Sequence, residues 1–586
     1  MDLKEFLNRP YGAAIAFALL CALFFTFDLG GRAISSPDEG RYIEIPREMV
    51  ETGDYVLPRL NGIYYFEKPP LFYWMEAVAI KIFGVSEFST RLVPALLGLF
   101  GCLSTLYVGQ RFYGRTAGLL AGGILASTLL YYALARFIVL DMAVSVFVSA
   151  ALFAFLLACD EKDEKRALWW ARAGHLAAAL AVLSKGLIGL ALPGLIGLIW
   201  LAMIGRWSLL KRILCPSGIA IFLAVSVPWH VLAAMENKDF LWFYFVHEQF
   251  LRFSTTVHNR YEPMWFFVPV LIAGFLPWTG YIWHGVKQAL PSSWAKRASR
   301  PRELYMLIWI VVIFIFFSIS DSKLITYILP IFPPLAVLIA GVVAPYIDGN
   351  RRDDLHVGRY VFAVVAAILA LVVPVAYLTP ALATNEDIAP YLDSVKSLVV
   401  PMAIIFALAA VAVLVLPRRY GMRATIPIIL ATAVLGWTGV SLVASRADPN
   451  SIKPLALAIK PYLTEQDKVV SYGTLFYDLP VYLERKVIVV DNHAEFKFGM
   501  TQEDTTSIVQ YSNDFWAVWA GEQRYFVLAR ARTFNEWLLE GLRHDICLIG
   551  QTERAVAFTN KRLVNEDGSE ACTWYGAGSK EIRTTQ

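Results

Sequence analysis

The chain has 586 residues, of which 57% are hydrophobic, 14% aromatic and 17% charged, with a formal net charge of +4. An average soluble domain carries roughly 25% charged residues, and many apolar runs here approach or exceed the roughly 18–20 residues that cross a bilayer. These figures exclude a purely soluble protein, a disordered chain and a disulfide-rich secreted scaffold, and cations scattered over many loops leave no footprint for nucleic acid.

In chain order, the apolar runs predict thirteen membrane spans: 10–30, 90–110, 116–134, 138–159, 169–184, 187–204, 213–234, 263–285, 303–319, 328–346, 360–380, 397–416 and 424–444. Alternate connections carry Arg111 and Arg115; Lys162, Lys165, Arg166 and Arg172; Arg206, Lys211 and Arg212; Lys287, Lys296, Arg297, Arg300 and Arg302; Arg351, Arg352 and Arg359; and Arg418, Arg419 and Arg423. The positive-inside rule makes these connections cytoplasmic. The N-terminus is then cytoplasmic and the C-terminus extracytoplasmic. The first span is long and lacks a small-x-small cleavage site, so it is expected to remain as an uncleaved anchor. A membrane domain over 1–444, with long outer loops at 31–89 and 235–262, thus precedes an exported domain over 445–586.

Within the first outer loop, 70–83 is apolar and aromatic but interrupted by Glu76 and Lys81. It is expected to lie along the membrane interface. In the exported domain VVSYG (469–473), KVIVVD (486–491), YFVLA (525–529) and ICLIG (546–550) read as short buried strands. FNEWLLEGL (534–542) reads as a helix, and together these predict a small α/β domain. No Gly-rich loop opens a helix there, so no nucleotide site is inferred. Cys547 and Cys572 are the one cysteine pair of that domain and could bridge in an oxidising compartment. The other cysteines read as small apolar filler.

Ionisable residues near membrane depth are functional candidates, and here they collect on the outer side. They are Asp38, Glu39 and Arg41; Glu67 and Lys68; Arg136 and Asp141; Lys185; Asp321 and Lys323; and, in 247–262, His247, Glu248, Arg252, His258, Arg260 and Glu262. SSPDEGRY (35–42) reads as a helix start: Ser36 caps, Pro37 takes the first helical position and Glu39 closes a capping box. Asp38 is not needed for that box and is left to face a substrate. Structural readings stand beside the others. Asp141 could cap or snorkel, Lys185 and Lys323 could snorkel to headgroups, and Glu67–Lys68 could be a solvated turn.

The collective pattern is more informative, because several independent loops place cations and carboxylates at one depth. Arg41, Lys68, Arg136, Lys185 and Lys323 suit phosphate oxygens. Carboxylates suit a sugar hydroxyl, an amine or a developing oxocarbenium charge. A cavity at the membrane suits a lipid carrier, so the combination fits sugar transfer from a lipid phosphate. His247 and His258 with Glu67 have the ligand types of a zinc site, although solvated loop histidines account for them as well.

Five motifs then carry a resemblance: SSPDEGRY, NGIYYFEKPPLFYW (61–74), ARFIVLDM (135–142), LSKG (183–186) and SKLITYILPIFPP (322–334). Their order and spacing, over roughly residues 10–340, resemble the bacterial branch of the protein O-mannosyltransferase-like glycosyltransferases. Within it they resemble the transferases of 4-amino-4-deoxy-L-arabinose to lipid A. The resemblance implies a polytopic α-helical GT-C fold in the inner membrane, with its active site facing the periplasm. It implies an inverting transfer from undecaprenyl phosphate to a phosphate of lipid A in lipopolysaccharide, conferring polymyxin resistance, by a monomer that needs no cofactor. Glu67, His247 and His258 remain candidate zinc ligands. Asp38 and Asp141 are the implied catalytic residues. Tyr65, Lys68, Lys323 and Tyr327 match the family motifs as substrate-binding residues, and Arg41, Tyr42, Glu67, Arg136, Lys185, Arg252 and Arg260 are expected beside them from the charge pattern. Ile325 stands where the motif has Pro. Transfer of another sugar, such as mannose, to protein or glycan stays open at this level. So does a lipid-linked sugar transporter, which is expected to show internal repeats; no repeat is visible.

Overall fold

The computed structural model describes residues 11–251, 262–349, 355–379, 389–446 and 451–580. The chain first forms α1 (Gly12–Thr26), then α2 (Asp38–Thr52), a small hairpin of β1 (Arg59–Leu60) and β2 (Ile63–Tyr64), and α3 (Leu71–Phe83). A bundle follows: α4 (Glu87–Tyr113), α5 (Arg115–Ser127), α6 (Leu129–Leu134), α7 (Leu140–Asp160), α8 (Glu164–Lys185), α9 (Ile188–Ile204) and α10 (Pro216–Glu236). It continues with α11 (Phe267–Gly274), α12 (Ile282–Ala289), α13 (Pro301–Ile319), α14 (Phe332–Ile347), α15 (His356–Leu378), α16 (Ala389–Val415) and α17 (Met422–Arg446).

Among the described residues, eight helices are long and apolar enough to cross a membrane, and each coincides with an expected span. The other five expected spans fall on shorter, more polar or broken helices. Those at 10–30 and 187–204 are the short apolar α1 and α9. The span at 169–184 lies within α8, whose first turns carry Glu164, Lys165 and Arg166. The span at 116–134 is divided between α5 and α6 by the extended backbone of Thr128. The span at 263–285 is divided between α11 and α12 around Pro277.

Burial separates centre from periphery. In α7, 89% of the apolar window is inside the protein, against 22% for α10. An apolar helix that hides its side chains is a core helix, and one that displays them faces lipid. Where α4 and α5 run antiparallel, a Cβ on Gly118 would lie 2.7 Å from the Leu106 carbonyl oxygen. Close backbone approach of this kind is how helices associate in lipid, where apolar burial offers little drive.

Among the described residues, cations from several of these connections meet carboxylates at one end of the bundle, where Arg111 pairs with Glu161, Arg212 with Glu164 and Arg302 with Asp160. At the opposite end α2, the hairpin and α3 form a layer beneath the C-terminal domain. The turn of the hairpin, Asn61–Gly62, takes positive φ at both positions, 54° and 83°, as a tight two-residue loop requires. Segment 70–83 is helical from Leu71 onward. Its Glu76 is fully buried, so one face of this helix packs into the layer, while Val78, Ile82 and Phe83 stay exposed. Burial holds that carboxyl far above the usual carboxylate range.

The C-terminal domain is a seven-stranded sheet in the order β5-β4-β3-β6-β8-β7-β9. The strands are β3 (Lys468–Tyr472), β4 (Ile488–Val490), β5 (Val509–Gln510), β6 (Tyr525–Arg530), β7 (Ile546–Gln551), β8 (Ala555–Thr559) and β9 (Thr573–Tyr575). The first four in spatial order are parallel and the rest antiparallel. The four expected strands are β3, β4, β6 and β7, and the expected helix is α18 (Ala531–Glu540). Cys547 and Cys572 are disulfide-bonded, tying β7 to the residue before β9.

This domain is seated on the membrane domain by specific polar contacts. The Asn61 side chain donates to the Val487 carbonyl at 2.7 Å and accepts from the Val487 N–H at 2.8 Å. Arg59 pairs with Glu503 at 3.0 Å, and Lys453 with Glu87 at 2.5 Å.

Candidate active site

A cavity of about 740 Å³ opens among the helix ends nearest the C-terminal domain. Its polar wall comes from the first turn of α2 (Asp38, Arg41, Tyr42), the segment entering α3 (Glu67, Lys68), the start of α7 (Asp141), the end of α8 (Lys185) and Glu248. Its apolar wall includes Ile188, Ala191, Phe316, Phe317 and Ile325. One cavity therefore offers fixed charges beside a surface suited to a hydrocarbon chain.

Helix geometry explains the gathering. The α7 and α8 helices are antiparallel neighbours, so the first turn of one meets the last turn of the other. Lys185 is thereby ion-paired with Asp141, and its ammonium lies 4.4 Å from the centroid of the Tyr327 ring. Lys68 bonds to Glu248 at 3.3 Å and to the Glu67 carbonyl at 2.9 Å. Behind it the Tyr65 hydroxyl donates to Glu67 at 3.1 Å. Burial drives that phenol well above its ordinary range, with the Glu67 charge adding to the shift, so Tyr65 serves as a donor. Asp38 lines the cavity, and its carboxylate makes no hydrogen bond or ion pair with described residues.

Glu39, beside it, does not act as the expected helix cap. Ser36 makes no capping bond to α2. The Glu39 carboxylate instead accepts from the Ser35 N–H at 2.9 Å, the Ile138 N–H at 3.2 Å, Arg32 at 3.0 Å and Arg91 at 2.7 Å. Burial alone would raise its pKa, but the two guanidiniums and the N–H bond bring it below the ordinary carboxylate range. Glu39 thus ties the start of α2 to α4 and to the loop before α7, which positions Asp38 and Asp141 together.

Two expected cations lie elsewhere. Arg136 donates to the Phe25 carbonyl at 2.7 Å and the Asp28 carbonyl at 3.2 Å. It caps the C-terminal end of α1, a favourable place for a cation, and lines a separate cavity of about 250 Å³. Lys323 donates to the Glu262 carbonyl at 2.7 Å. Its neighbours Ser322 and Leu324 line the main cavity and Lys323 does not, because consecutive side chains of extended backbone point to opposite sides.

Arg252, His258 and Arg260 lie outside the described residues. Of the candidate zinc ligands, His247 Nδ1 is 3.2 Å from Glu248, and Glu67 is engaged by Tyr65. Among the described residues no three His, Cys, Asp or Glu side chains come together as a metal site.

Glu248, named from the sequence among the ionisable candidates but given no role there, joins the cavity wall, and sequence reasoning missed two groups of the C-terminal domain. Arg41 is bonded to Glu495 at 3.1 Å, and its guanidinium stacks 5.0 Å from the centroid of Tyr477. Nothing in 445–586 marks these residues by local pattern.

Residues 13–245 match the dolichyl-phosphate-mannose-protein mannosyltransferase family, and residues 455–560 match the aminoarabinose transferase C-terminal domain. The undecaprenyl phosphate-alpha-4-amino-4-deoxy-L-arabinose arabinosyl transferase of Aeromonas hydrophila is 30% identical over 443 residues, 75% of this chain and 79% of that one. The chain belongs to this transferase family. The Aeromonas salmonicida relative of the same description is 28% identical over 515 residues, 87% of this chain and 91% of that one. ArnT from Cupriavidus metallidurans, in a crystal structure bound to undecaprenyl phosphate, superposes with a TM-score of 0.82 at 29% identity. The superposition covers 94% of this chain and 98% of that one. The GT-C glycosyltransferase fold implied by the motifs is therefore the fold of this arabinosyltransferase-family member.

Proposed function

We propose that this glycosyltransferase moves 4-amino-4-deoxy-L-arabinose from undecaprenyl phosphate to a phosphate of lipid A, on the periplasmic face of the inner membrane. The observation that carries the reading is the single cavity that joins Asp38, Arg41, Lys68, Asp141 and Lys185 to an apolar wall. The apolar wall suits a polyprenyl chain, and the cations suit its phosphate. The relatives' names supply the sugar. The disulfide in the C-terminal domain and the cationic connections at the far end support a cavity facing an oxidising, extracytoplasmic compartment.

The chemistry is a displacement at the anomeric carbon. A phosphate oxygen of the acceptor forms the new C1–O bond as the C1–O bond to undecaprenyl phosphate breaks, and the bonding pair leaves on the undecaprenyl phosphate oxygen. In-line attack inverts the anomeric centre. A lipid A phosphate is already anionic near neutral pH, so no base must remove a proton and no metal must activate the nucleophile. Lys68, Arg41 and Lys185 reduce the repulsion between the two phosphates and stabilise the leaving one. Asp38 faces the positive charge that grows at C1 or the sugar ammonium.

The test is mass spectrometry of lipid A from a transferase-deficient strain that still makes the aminoarabinose donor, carrying this chain or its Asp38→Asn variant at matched expression. An aminoarabinose mass increment with the intact chain alone is the expected result. No increment with either, beside a working control, removes the lipid A assignment.

A further inference from the structure

The displacement needs no group from the C-terminal domain, yet that domain reaches the cavity wall at Arg41. The guanidinium bonds to Glu495 Oε1 at 3.1 Å and stacks on Tyr477. Its Nε–H is buried without a hydrogen-bond partner among the described residues. Arg41 lines the cavity whereas Glu495 does not, so the guanidinium stands between the carboxylate and the space a substrate would fill. The seat beside it is tight. A Cβ on Gly40, the residue before Arg41, would lie 2.6 Å from the Asp478 nitrogen and from the Tyr477 carbonyl carbon. Backbone cannot yield as a flexible side chain can, so glycine here is what lets the domain sit against α2.

We infer that Glu495 is a positioning residue for Arg41, holding the guanidinium so that its remaining N–H groups meet the phosphate of the lipid-linked donor. This rests on the lipid-phosphate reading above and extends it to the exported domain. An arginine offers five N–H donors in a rigid fork, so one branch can be held by a carboxylate while others grip phosphate. A long side chain that is fixed beforehand loses less freedom on binding. The domain thereby contributes to donor affinity without touching the reacting atoms.

The experiment is direct binding of undecaprenyl phosphate to the purified full chain in detergent. The variants are Glu495→Ala, Glu495→Gln, Arg41→Ala and the Arg41→Ala/Glu495→Ala double, each with its melting temperature. E495A is expected to weaken binding about tenfold, the scale of one charge-assisted contact. E495Q keeps an acceptor oxygen and is expected to weaken it less; being isosteric, it carries the test if E495A is unstable. In the R41A background, removing Glu495 is expected to change nothing further, because a residue that acts through another has no effect once that other is gone. Wild-type affinity in both Glu495 variants overturns the inference alone. So does an equal loss from E495A with and without Arg41, which a merely structural role would give. Failure of the unaltered chain to bind the lipid phosphate overturns the donor reading together with the inference.

Discussion

Lys185, the last residue of α8, is ion-paired with Asp141 in the first turn of α7. The contact joins two antiparallel helix ends at the cavity wall and holds the ammonium over the Tyr327 ring. On the proposed reading, in which Lys185 meets a phosphate, the Asp141 carboxylate orients that cation. Asp38 differs, because it faces the cavity without an ion partner among the described residues.

Asp141→Asn is therefore expected to lower transfer at least about tenfold, the equivalent of about 1.4 kcal/mol in the barrier. Lys185→Ala is expected to do the same. The double variant should be little worse than either single one, because both remove one unit. Initial rates with purified protein and donor decide this; full activity in Asp141→Asn would strike that residue from the site.

Glu39→Ala leaves Arg91 buried without its carboxylate, and breaking a buried pair costs about 3–5 kcal/mol. A lost helix cap would cost only about 1 kcal/mol. Ser36→Ala, which removes no capping bond, should leave the melting temperature unchanged. Thermal unfolding of the two variants in detergent separates the roles, and similar small losses in both would return Glu39 to a capping function.

Glu48 in α2 supplies a pH test. Burial pushes its carboxyl up to about 8, the neighbouring Glu44 adds to the shift, and Arg47 and the Gly62 N–H oppose it. A carboxyl whose pKa is raised on folding holds its proton more tightly in the folded chain. Its stabilising contribution is whole below the unfolded value, near 4.3, and is lost as pH rises through about 8. Glu48→Gln removes that loss. The melting temperature of the unaltered protein should fall more between about pH 6.5 and about pH 9 than that of Glu48→Gln, and parallel falls would contradict the assignment.

The Cys547–Cys572 bridge closes a loop with a sequence separation of 25. Loop-closure entropy puts its stabilisation at about 3.5 kcal/mol. A Cys547→Ser/Cys572→Ser protein should lose C-terminal domain stability on that scale, read as earlier proteolysis of 451–580 on heating. If Glu495 positions Arg41, weaker lipid-phosphate binding should accompany the loss.

Much of the architecture is legible without coordinates. The span pattern follows from apolar length and from cations on alternate connections, since a bilayer penalises a charged side chain wherever the chain bearing it runs. The short strands β3, β4, β6 and β7 are legible as apolar runs. AVAFT (555–559), now β8, follows ICLIGQ by a three-residue loop, which is a hairpin signal; reading the runs one at a time misses it. Asp38, Lys68, Asp141 and Lys185 are legible as cavity residues because each lies at or just before a helix end on one side of the bundle, and helix ends on one side converge.

What the chain order cannot express is which way a side chain turns. Arg136 and Lys323 are cations that the sequence expects on the same side of the bundle as Lys185. One caps carbonyls at the end of α1 and the other donates to Glu262, because the nearest unpaired acceptor, not the cavity, captures each donor. Arg41 and Glu495 are 454 positions apart, and no local pattern links them. The membrane bundle, the C-terminal α/β domain and the side of the bundle on which charge collects all follow from composition and chain order, since each reflects the cost of placing groups in lipid or water. Which charges share the cavity is set by packing alone, because ion pairs and hydrogen bonds act over a few ångströms and depend on how distant segments meet.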